Sequence, residues 1–201
     1  MKRHNLTVTT ILLLFALQLT SCLPAKLPPS TTVKKEAFKS KKWKLAVVDF
    51  NYEFEGEGKE GANAYVSSGK DGGRVIANML AAELNKMDDL QILERSAIDK
   101  IMEEQKMQVS GTIDESTAVE LGRLIGADAV MLGDVTDYLS WTNVTGLSGS
   151  TVSFSARMID VTSSQLLLST SITRIRTGIL TSQNVQLTAQ EVYESIAKEL
   201  Q

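Results

Sequence analysis

Leu90-Gln91-Ile92-Leu93-Glu94-Arg95-Ser96 is the stretch that decides the fold. Leu90, Ile92 and Leu93 form a short apolar run, as a buried strand does. Ser96 is placed to cap a helix, with Asp99 three residues later, close to capping-box spacing. Ile98, Ile101 and Met102 then recur at helical intervals, Gln105 closes the helix, and Ser110-Gly111 breaks the chain. A strand running straight into a helix is part of a crossover, so parallel strands are expected around it.

The flanking segments extend this pattern. Lys44-Leu45-Ala46-Val47-Val48-Asp49-Phe50 is nearly continuous in apolar character, the mark of a strand covered on both faces. Residues 51–68 read as a long polar connection with Gly56, Gly58 and Gly61, a binding loop or a mobile one. Gly69-Lys70-Asp71-Gly72-Gly73-Arg74 opens a helix whose stripe is Val75, Ile76, Met79, Leu80 and Leu84. A glycine-rich turn with a lysine invites a phosphate-binding reading. It fits neither the P-loop nor the dinucleotide spacing, so it is read as a helix start with flexible glycines. Asp114 or Ser116 caps a third helix with Ala118, Leu121, Leu124 and Ile125 on its buried face; Gly126-Ala127-Asp128 ends it. A strand from Ala129 to Leu139, a polar turn from Ser140 to Ser150, an alternating strand over 151–161 and another over 166–177 follow. Val185, Leu187, Val192, Ile196 and Leu200 mark a final amphipathic helix. The order is β-α-β-α-α-β-β-β-α. The expected class is α/β (mixed α+β): one mixed sheet over 43–201, with parallel pairing in its first half, hairpins in its second and helices packed in two or three layers.

Residues 1–21 have the form of a signal peptide: Lys2 and Arg3, then an apolar segment from Val8 to Leu19 that is too short to span a bilayer. They end in Leu19-Thr20-Ser21-Cys22, which resembles the lipobox of bacterial lipoproteins, where the cysteine is lipidated and becomes the new N-terminus. Cys22 is the sole cysteine of the 201 residues, which rules out an intramolecular disulfide. Residues 22–42 read as a flexible lipidated tether. They hold all three prolines and a lysine run (Lys34, Lys35, Lys39, Lys41, Lys42) that is a solvated spacer or a contact for anionic headgroups.

Composition narrows the chemistry. The one histidine, His4, leaves with the signal peptide, so the mature chain lacks the commonest general base, the Ser-His-Asp triad, a free thiol and most zinc and haem sites. The net charge is −3 without a basic stripe in the body, and no nucleic-acid partner, cofactor, metal or small-molecule substrate is implied. Asp49, Asp128 and Asp134 stand at strand ends, where acidic groups gather in α/β active sites; turn and cap roles explain them more simply. Glu94 and Arg95, at the strand–helix junction, supply an intradomain ion pair or an interface contact. Trp141 anchors at a lipid interface or a partner, or folds back on the sheet. The loops 51–68 and 140–150 are the remaining candidate contact surfaces.

Taken together, these motifs resemble the CsgG/HfaB family. Leu45-Ala46-Val47-Val48-Asp49-Phe50 is similar to its opening strand, and Leu93-Glu94-Arg95-Ser96 with Ile101 and Glu104-Gln105 to its central strand and helix. Ser110-Gly111, Ala118, Leu121-Gly122, Gly126-Ala127-Asp128 and Gly133-Asp134-Val135 resemble its third helix and next strand. Arg157-Met158-Ile159-Asp160-Val161-Thr162 with Leu166-Leu167-Leu168-Ser169 resembles its late hairpin. The resemblance implies a lipoprotein of the bacterial outer membrane facing the periplasm, non-enzymatic, in envelope or surface-structure assembly or secretion through self-association or protein partners. Two other readings stand beside it. One is a ring-shaped curli-type pore whose subunits each insert β-hairpins. The other is a regulator similar to the lipoproteins that activate peptidoglycan synthases. A spanning strand needs about 9–11 residues. The candidate hairpins are therefore Tyr138 to Arg157 and Arg174 to Gln186, and the second is too short for two strands.

Overall fold

A computed structural model of the chain describes residues 27–53, 64–104 and 114–201. The signal peptide, Cys22, Gln105 and Ser110-Gly111 lie outside these residues. In chain order the elements are β1 (Ser30–Val33), α1 (Lys35–Ser40), β2 (Trp43–Val47), β3 (Ala64–Ser68), α2 (Gly72–Leu84), β4 (Leu90–Ile92), α3 (Arg95–Glu104), α4 (Glu115–Ile125), β5 (Ala129–Asn143), β6 (Ser148–Asp160), β7 (Leu166–Thr177) and α5 (Thr181–Leu200). The strands form one mixed sheet in the order β1-β7-β6-β5-β2-β4, with β3 against β5. Leu45 of β2 lies opposite Ile92 of β4 and Ala129 of β5, both parallel, as the crossovers require. β5, β6 and β7 are successive antiparallel hairpin strands. All nine expected elements occur in the expected order.

Two core clusters make this a three-layer fold. Leu45, Met131, Phe154, Met158 and Leu168 meet Ile76 and Leu80 of α2 and Val185, Val192 and Ile196 of α5 on one face, with Phe38 of α1 at the margin. Ala46, Val48, Val130, Leu132 and Ile159 meet Ile98 and Met102 of α3 and Ala118 and Leu121 of α4 on the other. The alternation along β2 and β5 thus fills both faces, as a near-continuous apolar strand predicts.

The structure corrects four expectations. Residues 30–42 are not a tether: β1 pairs antiparallel with β7, and α1 buries Phe38 beside Trp43, with ring centroids 6.3 Å apart. Two of their lysines form ion pairs, Lys41 with Asp128 and Lys39 with Glu36. Residues 64–68 are not loop but β3, held by the distal half of β5. The polar turn is four residues, 144–147, instead of eleven. Ser140–Asn143 and Ser148–Ser150 continue the ladder, and Asn143 Oδ1 closes the turn by accepting from the amides of Thr145 (3.0 Å) and Leu147 (2.9 Å). Finally, α3 begins at Arg95, so Ser96 sits inside its first turn and the Glu94 carbonyl accepts from the amides of Ala97 and Ile98. For α4 the cap is Asp114, which accepts from the Thr117 amide at 2.8 Å.

The glycines opening α2 serve close approach, not flexibility. A Cβ on Gly72 would lie 2.9 Å from the Tyr138 side chain, and one on Gly73 only 2.0 Å from the Phe50 carbonyl oxygen. The helix is pressed onto the sheet there. Gly73→Ala is expected to cost about 3 kcal/mol, the upper end for overpacking a tight core, because a backbone atom has to move. Urea unfolding checks it: the midpoint should fall with an unchanged slope.

Candidate functional site

Open α/β sheets place chemistry beyond the carboxyl ends of parallel strands. At that edge, just past β2, stands Asp49. One of its oxygens binds Arg95 Nη2, and the other is 3.3 Å from Arg74 Nε on α2. Arg95 also holds Asp99 on its own helix through Nε (3.1 Å) and donates Nη1 to the Val47 carbonyl (3.1 Å). Asp49 and Arg95 thus latch β2 to α2 and α3. Arg95 forms its ion pairs within the domain, with Asp49 and Asp99. Glu94 is exposed and contributes its backbone carbonyl to the helix start. Asp134 meets Asn51 Nδ2 at 3.4 Å, where the chain beyond β2 bridges to β5.

Asp128 launches β5. It accepts from Lys41 Nζ and the Lys44 amide, both at 2.9 Å. Burial is the largest single influence and raises its pKa. The Lys41 and Lys44 hydrogen bonds and the charges of both lysines together outweigh it and hold the carboxyl below its ordinary value. These carboxylates are built into turns and latches. Among the described residues no group of three or more His, Cys, Asp or Glu side chains gathers to hold a metal.

The most elaborate polar cluster joins α5 to β6 and β7. Glu191 accepts from Arg174 Nε and Arg176 Nη2, each at 2.5 Å. Arg176 also donates to Asn184 Oδ1 and, at 2.8 Å, to Thr188 Oγ1. Asn184 Nδ2 donates to the carbonyl and hydroxyl of Ser150, both at 3.0 Å. Asn184, Thr188 and Ser150 are fully buried, so each needs these partners. Sequence patterning missed the cluster because its members come from three elements and look like ordinary polar residues.

Past this cluster lies the hairpin-tip end of the sheet. Trp141 is half-buried in the ladder between Val66 of β3 and Gly149 of β6. A Cβ on Gly149 would lie 2.5 Å from its ring, so the missing side chain makes the indole's seat. Of the readings open for Trp141, the packing matches folding back on the sheet. Glu94, Arg95 and Trp141 do not converge: the first two are at the α3 start and the third at the distal end of β5. Two open grooves, about 370 and 440 Å³, flank residues 27–31; the first runs between Pro28, Arg174 and Ser195, the second between Leu27, Asp134 and Ser153.

The Asp128 contacts set an acid limb to stability. A carboxyl held below its ordinary value near 3.8 stabilises the fold above about pH 4, and that contribution is lost as pH falls through the lowered value. Asp128→Asn should therefore be less stable than the parent at pH 7, and the gap should narrow as pH falls below about 4 through the lowered value, measured as urea midpoints.

The sequence matches the family described as "Curli production assembly/transport component CsgG" over residues 30–197, from the first residue of β1 into the last turn of α5. No curated protein matches it. Solved structures with the same fold include the PelC dodecamer from Paraburkholderia phytofirmans, at TM-score 0.54 and 19% identity, covering 82% of this chain and 92% of that one. Lipoprotein GNA1162 from Neisseria meningitidis is similar at TM-score 0.57 and 19% identity, covering 78% of this chain and 99% of that one. With a match that runs from the edge strand to the C-terminal helix, the chain belongs to the CsgG family.

Proposed function

We propose that the protein is a non-enzymatic lipoprotein of the bacterial outer membrane, anchored through Cys22 with its domain facing the periplasm. It acts in assembly or transport of surface material through self-association. The observation that carries this reading is the family match beginning at Ser30, eight residues after a lipobox cysteine. The PelC relative is a dodecamer and the GNA1162 relative a lipoprotein, which supports self-association and the anchor.

The fold favours an assembly that stays outside the bilayer over a curli-type spanning pore. Tyr138–Arg157, the longer of the two candidate spanning hairpins, is part of the sheet. Releasing it would expose Val152 and Phe154, about 1.5–3 kcal/mol each. It would also strip Asn184 of Ser150, about 1–3 kcal/mol more. A domain of total stability about 5–15 kcal/mol would lose a large part of it. The distance from Cys22 to Leu27 is five residues, about 18 Å at full extension. That reach is too short for a regulator that must cross the periplasm.

Cys22→Ser should abolish radiolabelled palmitate incorporation and leave an uncleaved precursor; labelling at the parent level would overturn the anchor. Light scattering of the detergent-extracted parent protein should show one species of several copies, whereas a monomer alone would overturn self-association.

A further inference from the structure

Six lysines fall within eleven residues, Lys34, Lys35, Lys39, Lys41, Lys42 and Lys44, with Glu36 the one acid among them, in a chain of net charge −3. All six are exposed, and the fold fixes where they stand. The Lys34 amide donates to the Leu167 carbonyl at 2.9 Å, and its Nζ donates to Gln165 at 3.2 Å. Between the ends of the stretch, α1 is pinned by Phe38, buried beside Trp43. Lys41 Nζ and the Lys44 amide both reach Asp128, whose carbonyl accepts from the Val161 amide at 3.0 Å. Val161 and Gln165 belong to one turn, so the lysines form a ridge along a single edge of the domain. Glu36 takes Lys39 and Asp128 takes Lys41. Among the described residues Lys34, Lys35, Lys42 and Lys44 make no ion pair.

The ridge works against its own helix. Cations oppose the dipole at a helix N-terminus, where Ser, Thr, Asp or Asn would cap. Lys34 holds the cap position of α1 without a side-chain bond, and Lys35 follows in the first turn. Lys35 and Lys39 are like charges four residues apart, a further cost. Departures of this kind from local stability are expected where side chains serve a function. The chemistry of the ridge then narrows the partner. Lysines act as point charges, whereas planar two-pronged binding of one carboxylate or phosphate falls to arginine, and residues 28–44 contain none. No large apolar side chain is exposed there: Phe38 and Trp43 are each 3% exposed. A folded protein would need an apolar anchor at its contact, and a bilayer takes up apolar side chains beside the charges. What stands among the lysines is polar and neutral, with Ser40 and Gln165 both exposed.

We propose that the α1 ridge binds a linear anionic polysaccharide. Its recurring carboxylates or phosphates meet Lys34, Lys35, Lys42 and Lys44, and its hydroxyls meet Ser40 and Gln165. This adds a ligand to the reading above and depends on neither the anchor nor self-association.

The test titrates fluorescein-labelled polygalacturonate with the mature chain in neutral detergent, read by anisotropy. The parent should bind, and its affinity should fall about tenfold or more between about 50 and about 200 mM salt, as counterion release from three or more contacts requires. Lys34→Gln, Lys35→Gln and Lys42→Gln together should weaken binding about tenfold at the lower salt, while arginine at the same three positions should retain it. A control with the same loss of charge combines Lys70→Gln, Lys100→Gln and Arg157→Gln, all exposed and outside the ridge. It should change the affinity less than about threefold, because only the distant field is altered. No binding by the parent, or equal loss in the two glutamine sets, overturns the proposal. Polyglutamate binding as tightly as polygalacturonate at equal charge concentration overturns it too, assigning the ridge to an acidic peptide. So does displacement of the polysaccharide by phosphatidylglycerol doped into the micelles, which would assign the ridge to lipid.

Discussion

The pairing of β1 with β7 governs how the molecule is presented. An open sheet edge leaves a row of N–H and C=O groups without partners and invites other chains to add on. Ser30–Val33 covers that edge of β7 over Leu168–Ser171. The same strand satisfies a buried hydroxyl, since Thr170 is 1% exposed and faces Thr31 Oγ1 at 3.0 Å. Ser195 of α5 donates to that Thr31 oxygen at 2.9 Å, so sheet edge, helix and N-terminal strand close on one point. Where β1 lies decides where the chain emerges, and how much of it is left as a leash.

β5 is the second determinant. One edge of this fifteen-residue strand pairs with β6 along its length, while the other is shared between β2 near its start and β3 near its end. The irregularity between Val135 and Asp137 falls between the two partners, where a bulge re-aims the strand. The proximal half is covered by helices on both faces and carries the ionic latches. Past Asp137 the strand carries neutral residues, and the hairpin beside it, β6 and β7, is clamped to α5 by the Asn184 cluster. Arginine–carboxylate pairs hold helices to the sheet at both levels, Arg95 on Asp49 at the proximal end and Arg174 and Arg176 on Glu191 nearer the tip.

Most of the framework could be read from pattern. β2, β5, β6 and β7 announce themselves by continuous or alternating apolar residues, and α2, α4 and α5 by helical stripes. β1, α1 and β3 could not be read this way. Ser30-Thr31-Thr32-Val33 is an edge strand with one neighbour, so it carries little alternation, and it follows Pro28-Pro29 in a stretch that looks like spacer. In α1 the lysines dominate the reading, although Phe38 and Trp43 form a buried aromatic pair. β3 sits inside a polar, glycine-bearing stretch, held by a half-strand that itself passed for a turn. The pairings that organise the surface join residues far apart in sequence, Asp49 with Arg95 and Arg174 with Glu191, and no local signal marks them.

Amide hydrogen exchange of the mature protein tests most directly whether the N-terminal segment belongs to the sheet. The Lys34 amide donates to the Leu167 carbonyl at 2.9 Å. Fragments covering Ser30–Lys34 should exchange as slowly as those of β7, read by mass spectrometry at neutral pH. Exchange at the rate of an unstructured peptide over those residues would contradict the account, restoring a tether of about twenty residues.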